Sequence, residues 1–173
     1  IRLEQLVVRL EQKDDYREVE NLTREAFWDV YRPGCSEHLV LHKLRNAKSF
    51  ISDLDYVFVV DKKIIANIVY TKMFNEKGEM LNDVIAFGPS SVHPEYQKRG
   101  IGKKIIEISI NRAKELGYKA VLITGNDKFY NPLGFEGAYK YGVTLPGMSV
   151  EDKAEFFMAM ELEKGYLSKH SGV

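Results

Sequence analysis

Residues 97–104 read Gln-Lys-Arg-Gly-Ile-Gly-Lys-Lys, and they separate two patterns of different period. The apolar run at 84–92 predicts a strand, whereas isoleucines within 101–116 recur at the spacing of one helix face. The first N–H groups of a helix have no internal partner, and the aligned peptide dipoles make that end positive. Two glycines leave those groups uncovered, and four basic side chains surround them. The stretch therefore predicts an anion site, most simply a site for phosphate.

The charge of the whole chain shows that this basic cluster is local. The 173 residues contain 25 Lys and Arg against 25 Asp and Glu, so the formal net charge is zero. Neither a nucleic acid nor an anionic membrane is indicated as a partner, and a small anionic ligand is favoured. Cys35 is the single cysteine, which excludes an internal disulfide and fits a reducing compartment. Without a signal peptide or membrane-spanning pattern, we expect a cytoplasmic protein of one domain.

The remaining elements predict a mixed α/β sheet, antiparallel in its first strands and parallel at its centre. A polar, loose tail is expected after Tyr166. Residues 156–162 are ambiguous, because their local propensity favours helix while their apolar residues partly alternate. The other predicted strands are 6–10, 56–60, 64–73, 84–92, 120–124 and 139–144. Three helices are predicted: one that begins after Asp14 or Asp15, one over 37–48 and one over 101–116.

Two features leave alternatives open. Gly88-Pro89 lies inside a predicted strand, where proline removes a hydrogen-bond donor. It indicates either a bulge whose unpaired backbone groups await a ligand or a strand that ends at Phe87. Three aromatic residues, Phe27, Trp28 and Tyr31, either cover an edge of the core or line the entrance for a substrate.

Two familiar phosphate sites do not fit the glycine stretch. A P-loop requires glycine where Gln97 stands and serine or threonine where Lys104 stands. A dinucleotide fingerprint requires a third glycine at the position of Ile105.

A third pattern does fit. Gln97-x-x-Gly100-x-Gly102 resembles the acetyl-coenzyme A signature of the Gcn5-related N-acetyltransferases (GNAT), and 92–96 and 130–135 are similar to that family as well. The C-terminal pattern further resembles a group of predicted bacterial members of unassigned substrate. The resemblance implies one GNAT-like domain over 1–173, with a polar tail at 166–173. It implies a sheet of about six to seven strands, flanked by helices, with a splayed central parallel pair, and it makes 156–162 a strand.

The resemblance also implies a function. An acetyl group would move from acetyl-CoA to a primary amine by direct attack in a ternary complex, without a metal. Tyr130 would be the general acid, since a phenol is protonated at neutral pH and can donate to the leaving sulfur. The acceptor would be a small-molecule or peptide amine, with Phe27, Trp28 and Tyr31 as its walls, and a homodimer is compatible with the family. The residues implied to bind coenzyme A are Ser91, Val92, Gln97, Lys98, Arg99, Gly100, Ile101, Gly102, Lys103, Lys104 and Asn126.

The chain departs from the family at two positions. Ala86 stands where many members carry a glutamate base, so deprotonation of the amine through water is preferred, and Asp83 is interpreted as a turn residue. Ile123 stands where many members carry asparagine, for which Asn126 is the nearest substitute. The alternative function is therefore a non-catalytic acyl-CoA-binding or regulatory module of the same fold. A nucleotide-binding domain ranks third.

Overall fold

The computed structural model describes residues 6–28, 35–75, 77–144, 150–152 and 154–169. Within them, seven strands form one mixed sheet in the order β1-β2-β3-β4-β5-β7-β6, which confirms the predicted α/β sheet and its parallel pair. The strands are β1 (Val7–Leu10), β2 (Tyr56–Val60), β3 (Lys63–Phe74), β4 (Met80–Val92), β5 (Ala120–Thr124), β6 (Glu136–Gly137) and β7 (Phe157–Glu161). The helices are α1 (Tyr16–Phe27), α2 (Glu37–Leu44), α3 (Ile101–Glu115), α4 (Asp127–Tyr130) and α5 (Tyr166–Lys169).

The contacts of the chain fall into two compact units. The first comprises Ile1–Tyr70 with Gly88–Arg112, and the second comprises Thr71–Phe87 with Ala113–Val173. Strands β3 and β4 contribute residues to both.

The first unit is built on a hairpin of β2 and β3. Asp61 and Lys62 take positive φ angles of 48° and 65°, as a tight hairpin turn requires. Helix α1 buries Val19 and Leu22, which lie three residues apart on one face, in a cluster with Leu41 of α2. Helix α2 ends at Leu44, so the helix predicted over 37–48 is shorter than expected.

A polar cluster is buried in the same unit. Arg45 donates from Nε and Nη2 to the two carboxylate oxygens of Glu11, at 3.0 and 2.9 Å. Asp55 is 2% exposed and accepts a hydrogen bond from Asn67 Nδ2 at 2.9 Å. Burial, followed by the neighbouring Glu11 carboxylate, raises the pKa of Asp55 to about 9. Asp55 therefore keeps its proton at neutral pH, which allows two carboxyl groups to share the site.

The second unit is organised around β5, whose residues Ala120–Ile123 are buried. Strand β5 pairs in parallel with β4 and antiparallel with β7. The helical propensity of 156–162 is therefore overridden, and the strand implied by the family resemblance is confirmed at β7. Met158 and Ala159 are completely buried, so tertiary packing decides the structure of this segment.

Three other expectations are corrected in detail. The prediction of a strand at 139–144 is wrong, because Ala138–Tyr141 form a 3₁₀ turn that ends at Gly142, whose φ is 77°. Asp83 lies inside β4 and not in a turn. The tail predicted at 166–173 begins with the short helix α5, in which Leu167 is buried, while residues 170–173 lie outside the described part of the chain.

Candidate active site

The loop before α3 has the geometry that its glycines suggest. Gly100 has φ of 78°, and Lys98 has φ of 63°, which is uncommon for a residue with a side chain. Backbone strain of this kind collects at functional sites, where surrounding structure maintains it. Helical bonding is in place at Lys104, whose N–H donates to the Gly100 carbonyl at 3.1 Å. Buried Ile101 and Ile105 fix the helix start, and the first N–H groups of a helix are groups that can bind an anion.

The basic side chains of this loop lie at the surface. Lys98, Arg99, Lys103 and Lys104 are all exposed. The Arg99 guanidinium lies 5.7 Å from the centre of the Tyr96 ring, which is within the range of a cation–π contact. An anion at the helix start would meet these charges at the surface and the backbone N–H groups beneath them.

The side chains of Gln97 and Ser91 form hydrogen bonds within the protein. Gln97 Nε2 donates to the Val92 carbonyl at 3.0 Å, and this bond joins the loop to the end of β4. The Ser91 hydroxyl is buried and donates to Thr23 Oγ1 of α1 at 3.0 Å. A ligand beside β4 would therefore meet the main chain of Ser91 rather than its hydroxyl.

Strands β4 and β5 separate early. The two strands pair in parallel at Val84 with Ala120 and at Ile85 with Val121. Strand β5 continues to Thr124, and β4 continues through a cis Gly88-Pro89 bond to Val92. The strand therefore does not end at Phe87, and the splay indicated by Gly88-Pro89 starts within the sheet.

Tyr130, in the second unit, ends α4 and belongs to an aromatic group. Its ring centre lies 6.0 Å from that of Phe87 and 5.9 Å from that of Phe135. A Cβ atom added at Gly125 would lie 2.6 Å from Tyr130 Cε2, so the ring occupies the space that any side chain at 125 would need. Gly125 thus permits the observed position of Tyr130, a role that spacing in the sequence does not reveal.

Replacing Gly125 with alanine is expected to move the Tyr130 ring without unfolding the protein. The clash falls on a ring that can swing, so the melting temperature should change little. Acetyl transfer, if Tyr130 acts as proposed below, should fall about tenfold or more, since small displacements of catalytic groups are costly. Steady-state kinetics and thermal melting would test this, and an unchanged rate would show that the ring position does not matter.

The remaining predicted site residues are placed as follows. Asn126 Oδ1 accepts from Lys128 N–H at 3.0 Å, so this side chain caps α4. Phe27 is partly buried at the end of α1. Trp28 is 48% exposed, with the Arg24 guanidinium 4.5 Å from its ring centre. Tyr31 lies outside the described residues.

A cavity of about 540 Å³ opens at the end of α1. Its lining includes Arg24, Glu25, Trp28 and Pro94. It presents one cationic and one anionic side chain beside an indole, so polar and apolar parts of a ligand could both be accommodated.

Asp83 is engaged elsewhere and makes a poor general base. Its carboxylate accepts a hydrogen bond from the Tyr166 hydroxyl at 3.3 Å. Burial and the nearby Asp83 charge raise the pKa of Tyr166. The side chain thus helps to hold α5.

Two negative findings apply to the described residues alone. They contain no group of three or more His, Cys, Asp or Glu side chains that could hold a metal ion. No helix among them has the length and apolar character to cross a membrane.

Comparison with known proteins identifies the class. Residues 53–137, about half of the chain, match the acetyltransferase (GNAT) domain. Over 75 residues the chain is 32% identical to YjhQ, an uncharacterized N-acetyltransferase of Escherichia coli K12. That match covers 43% of this chain and 41% of YjhQ, so the chain matches less than half of this relative's length.

Solved structures extend the likeness to the whole fold. The YhbS protein of Escherichia coli, a GNAT family N-acetyltransferase solved with CoA, superposes with a TM-score of 0.81 at 22% identity, over 97% of this chain and 87% of its own. A GNAT family acetyltransferase from Brucella melitensis, solved with acetyl-CoA, gives a TM-score of 0.73 at 22% identity, over 90% and 87% of the two chains. Residues 53–137 of the chain therefore carry the acetyltransferase (GNAT) domain, and the fold of the chain is that of the two solved GNAT proteins.

Proposed function

We propose that this protein transfers an acetyl group from acetyl-CoA to a primary amine. The observation that carries the proposal is the loop at residues 97–104, where exposed basic side chains surround the preformed start of α3. Cations near a helix N-terminus are unfavourable unless an anion offsets them. A pyrophosphate supplies that anion, and CoA or acetyl-CoA is what the two solved family members named above contain.

Coenzyme A would contact this chain mainly through the backbone. The pyrophosphate would accept hydrogen bonds from N–H groups of residues 99–103, with the side chains of Lys98, Arg99, Lys103 and Lys104 neutralising its outer oxygens. The pantetheine arm would pair with the main chain of Ser91 and Val92. Because Gln97 bonds to the Val92 carbonyl, its proposed role is to join that strand end to the loop.

The proposed chemistry is a direct acyl transfer. The neutral amine attacks the acetyl carbonyl carbon, a C–N bond forms and the C–S bond breaks. The nitrogen loses a proton to water, since Ala86 replaces the family glutamate and Asp83 is engaged with Tyr166. The Tyr130 hydroxyl gives its proton to the departing CoA thiolate, as a general acid does.

The acceptor is proposed to be a small-molecule or peptide amine. The cavity at the end of α1 supports this choice, since Trp28 can cover an apolar part while Glu25 attracts an ammonium group. Phe27 and Trp28 remain the proposed walls. A homodimer stays a prediction.

Two measurements in sequence test the proposal. Isothermal titration with CoA, with ATP as the matched control, should show saturable binding of CoA and weaker binding of ATP. Release of free thiol from acetyl-CoA, screened over a panel of amines, should then identify acceptors. If CoA binds but no amine in the panel causes thiol release from acetyl-CoA, the non-catalytic module is favoured. That alternative is supported by Ala86, which stands where many family members carry a glutamate. No binding of CoA would refute both.

Replacing Gly102 with alanine is expected to separate folding from cofactor binding. An added Cβ atom would lie 3.6 Å from Val92 Cγ2, an ordinary contact, and alanine favours helix over glycine by up to about 1 kcal/mol. Stability should therefore hold or rise slightly. The Kd for CoA should rise about tenfold or more, because the methyl group occupies the space where phosphate approaches the backbone. An unchanged Kd would place the pyrophosphate elsewhere.

A further inference from the structure

We infer that His93 is a positioning residue that holds the coenzyme A loop in its binding conformation by joining it to helix α1. The inference rests on the proposed function of that loop. It assigns His93 a role other than the acid–base chemistry that its residue type suggests.

The two ring nitrogens of His93 have different partners. Nδ1 accepts a hydrogen bond from the Glu95 N–H at 3.2 Å, which caps the 3₁₀ turn Pro94–Tyr96. A nitrogen that accepts carries no proton, so the hydrogen-bond pattern places the proton on Nε2. Nε2 lies 3.3 Å from Glu25 Oε2 of α1 and can donate to it. The ring is thus occupied on both sides and is not available as a general base.

The backbone of His93 reinforces this connection. Its N–H donates to the Ile65 carbonyl of β3 at 2.7 Å, and its carbonyl accepts from Tyr96 N–H at 2.8 Å. The rings of His93 and Tyr96 meet edge to face, with centres 5.9 Å apart. Tyr96 is 8% exposed and immediately precedes the loop that starts at Gln97. The turn that precedes the loop is therefore held by contacts with strand β3, with helix α1 and between its own residues.

A second contact ties the same two elements. The Thr23 hydroxyl of α1 accepts from Ser91, two residues before His93, and both side chains are buried. Thr23 and Glu25 thus hold two successive points of the chain between β4 and the loop. An anion site built from backbone N–H groups binds tightly only when those groups are already in position, since ordering a loose loop on binding reduces affinity.

Four variants separate this role from a general effect on folding. His93→Ala removes the cap and the Glu25 contact, whereas His93→Asn restores a cap, because asparagine is a preferred residue at this position. Glu25→Gln keeps an acceptor for the His93 Nε2–H, whereas Glu25→Ala removes that acceptor. The Glu25 side chain is 58% exposed, so its loss should disturb folding little. Each is titrated with CoA, and hydrogen exchange of residues 95–100 is followed in the CoA-free protein.

The expected results follow from the cap. His93→Ala should raise the Kd for CoA about tenfold and accelerate exchange at 95–100, while His93→Asn, which keeps a cap but loses the contact with Glu25, should raise the Kd by about threefold. Glu25→Ala, which loses only the contact with His93, should also raise the Kd for CoA by about threefold. Glu25→Gln should leave the Kd for CoA unchanged.

The inference is overturned if His93→Ala binds CoA normally, or if His93→Asn loses as much affinity as His93→Ala. Should His93→Ala fail to fold, the comparison of Glu25→Ala with Glu25→Gln still decides, because equal CoA affinities would contradict the proposed connection. Failure of the unchanged protein to bind CoA would instead refute the proposed function, together with this inference.

Discussion

Replacing Tyr130 with phenylalanine is expected to lower the rate of acetyl transfer by about 100-fold or more, because general acids contribute at least that much. The Kd for CoA should change less than about twofold, since the ring contacts do not involve the hydroxyl group. Phe87, Phe129 and Phe135 lie around the ring, with centres 6.0, 4.8 and 5.9 Å away, and a phenylalanine would keep all three contacts. Thiol release with an acceptor from the amine screen gives the rate, and calorimetric titration gives the affinity.

Two comparisons sharpen this result. Tyr139→Phe is the matched control, because it removes a tyrosine hydroxyl from a residue of the same unit and should leave the rate unchanged. Gly125→Ala combined with Tyr130→Phe should be no slower than Tyr130→Phe alone, since both variants act through one hydroxyl. A Tyr130→Phe enzyme with full turnover would rule out Tyr130 as the acid.

Replacing Asp55 with asparagine is expected to change how the stability of the protein depends on pH. The pKa of Asp55 is about 9 in the folded protein, against roughly 3.9 for an aspartate in an unfolded chain. Between these values the folded protein holds a proton that the unfolded chain releases. The stabilising contribution is therefore complete below the unfolded pKa, and it is lost as the pH rises toward 9. The slope from one proton is about −1.4 kcal/mol per pH unit in the free energy of unfolding.

Asparagine imitates the protonated carboxyl group without titrating. Its oxygen can accept from Asn67, and its amide can donate to Glu11, so the contacts of the cluster are kept. Urea unfolding at several pH values from 5 to 9 would measure the difference between the variant and the unchanged protein. As pH rises, the free energy of unfolding of the variant should increase steadily relative to that of the unchanged protein. Asp53→Asn is the exposed control, and a difference independent of pH for Asp55→Asn would contradict a protonated Asp55.

Strong periodic patterns predicted most of the fold. Helix α3 begins at Ile101, as its apolar spacing indicates, and β5 occupies the apolar run at 120–124 as predicted. The prediction failed at 139–144, because the alternating residues of this segment resemble those of a strand. In the structure, Gly142 takes a left-handed conformation and ends a tight turn there. Local pattern also failed at β7, where burial of Met158 between neighbouring elements outweighs helical propensity.

The candidate site was predictable where it depends on local sequence. Two glycines and the basic residues beside a helix start predict an anion site by themselves. In contrast, the contact of His93 with Glu25 and the bond between Thr23 and Ser91 join residues far apart in the chain. No pattern within one sequence links such positions, so only the folded structure could reveal how the loop is supported.

The early separation of β4 from β5 has a consequence for solubility. Strand β5 remains paired to β7 as far as Thr124, but its ladder to β4 ends at Val121. This gives the sheet an internal edge, and strand edges with unsatisfied backbone groups can recruit other chains. If the pantetheine arm pairs with Ser91 and Val92 on the β4 side of this edge, as proposed, coenzyme A would oppose self-association of the protein as well as serve the reaction. Cells that overproduce the protein beyond their supply of coenzyme A would then accumulate its most aggregation-prone form.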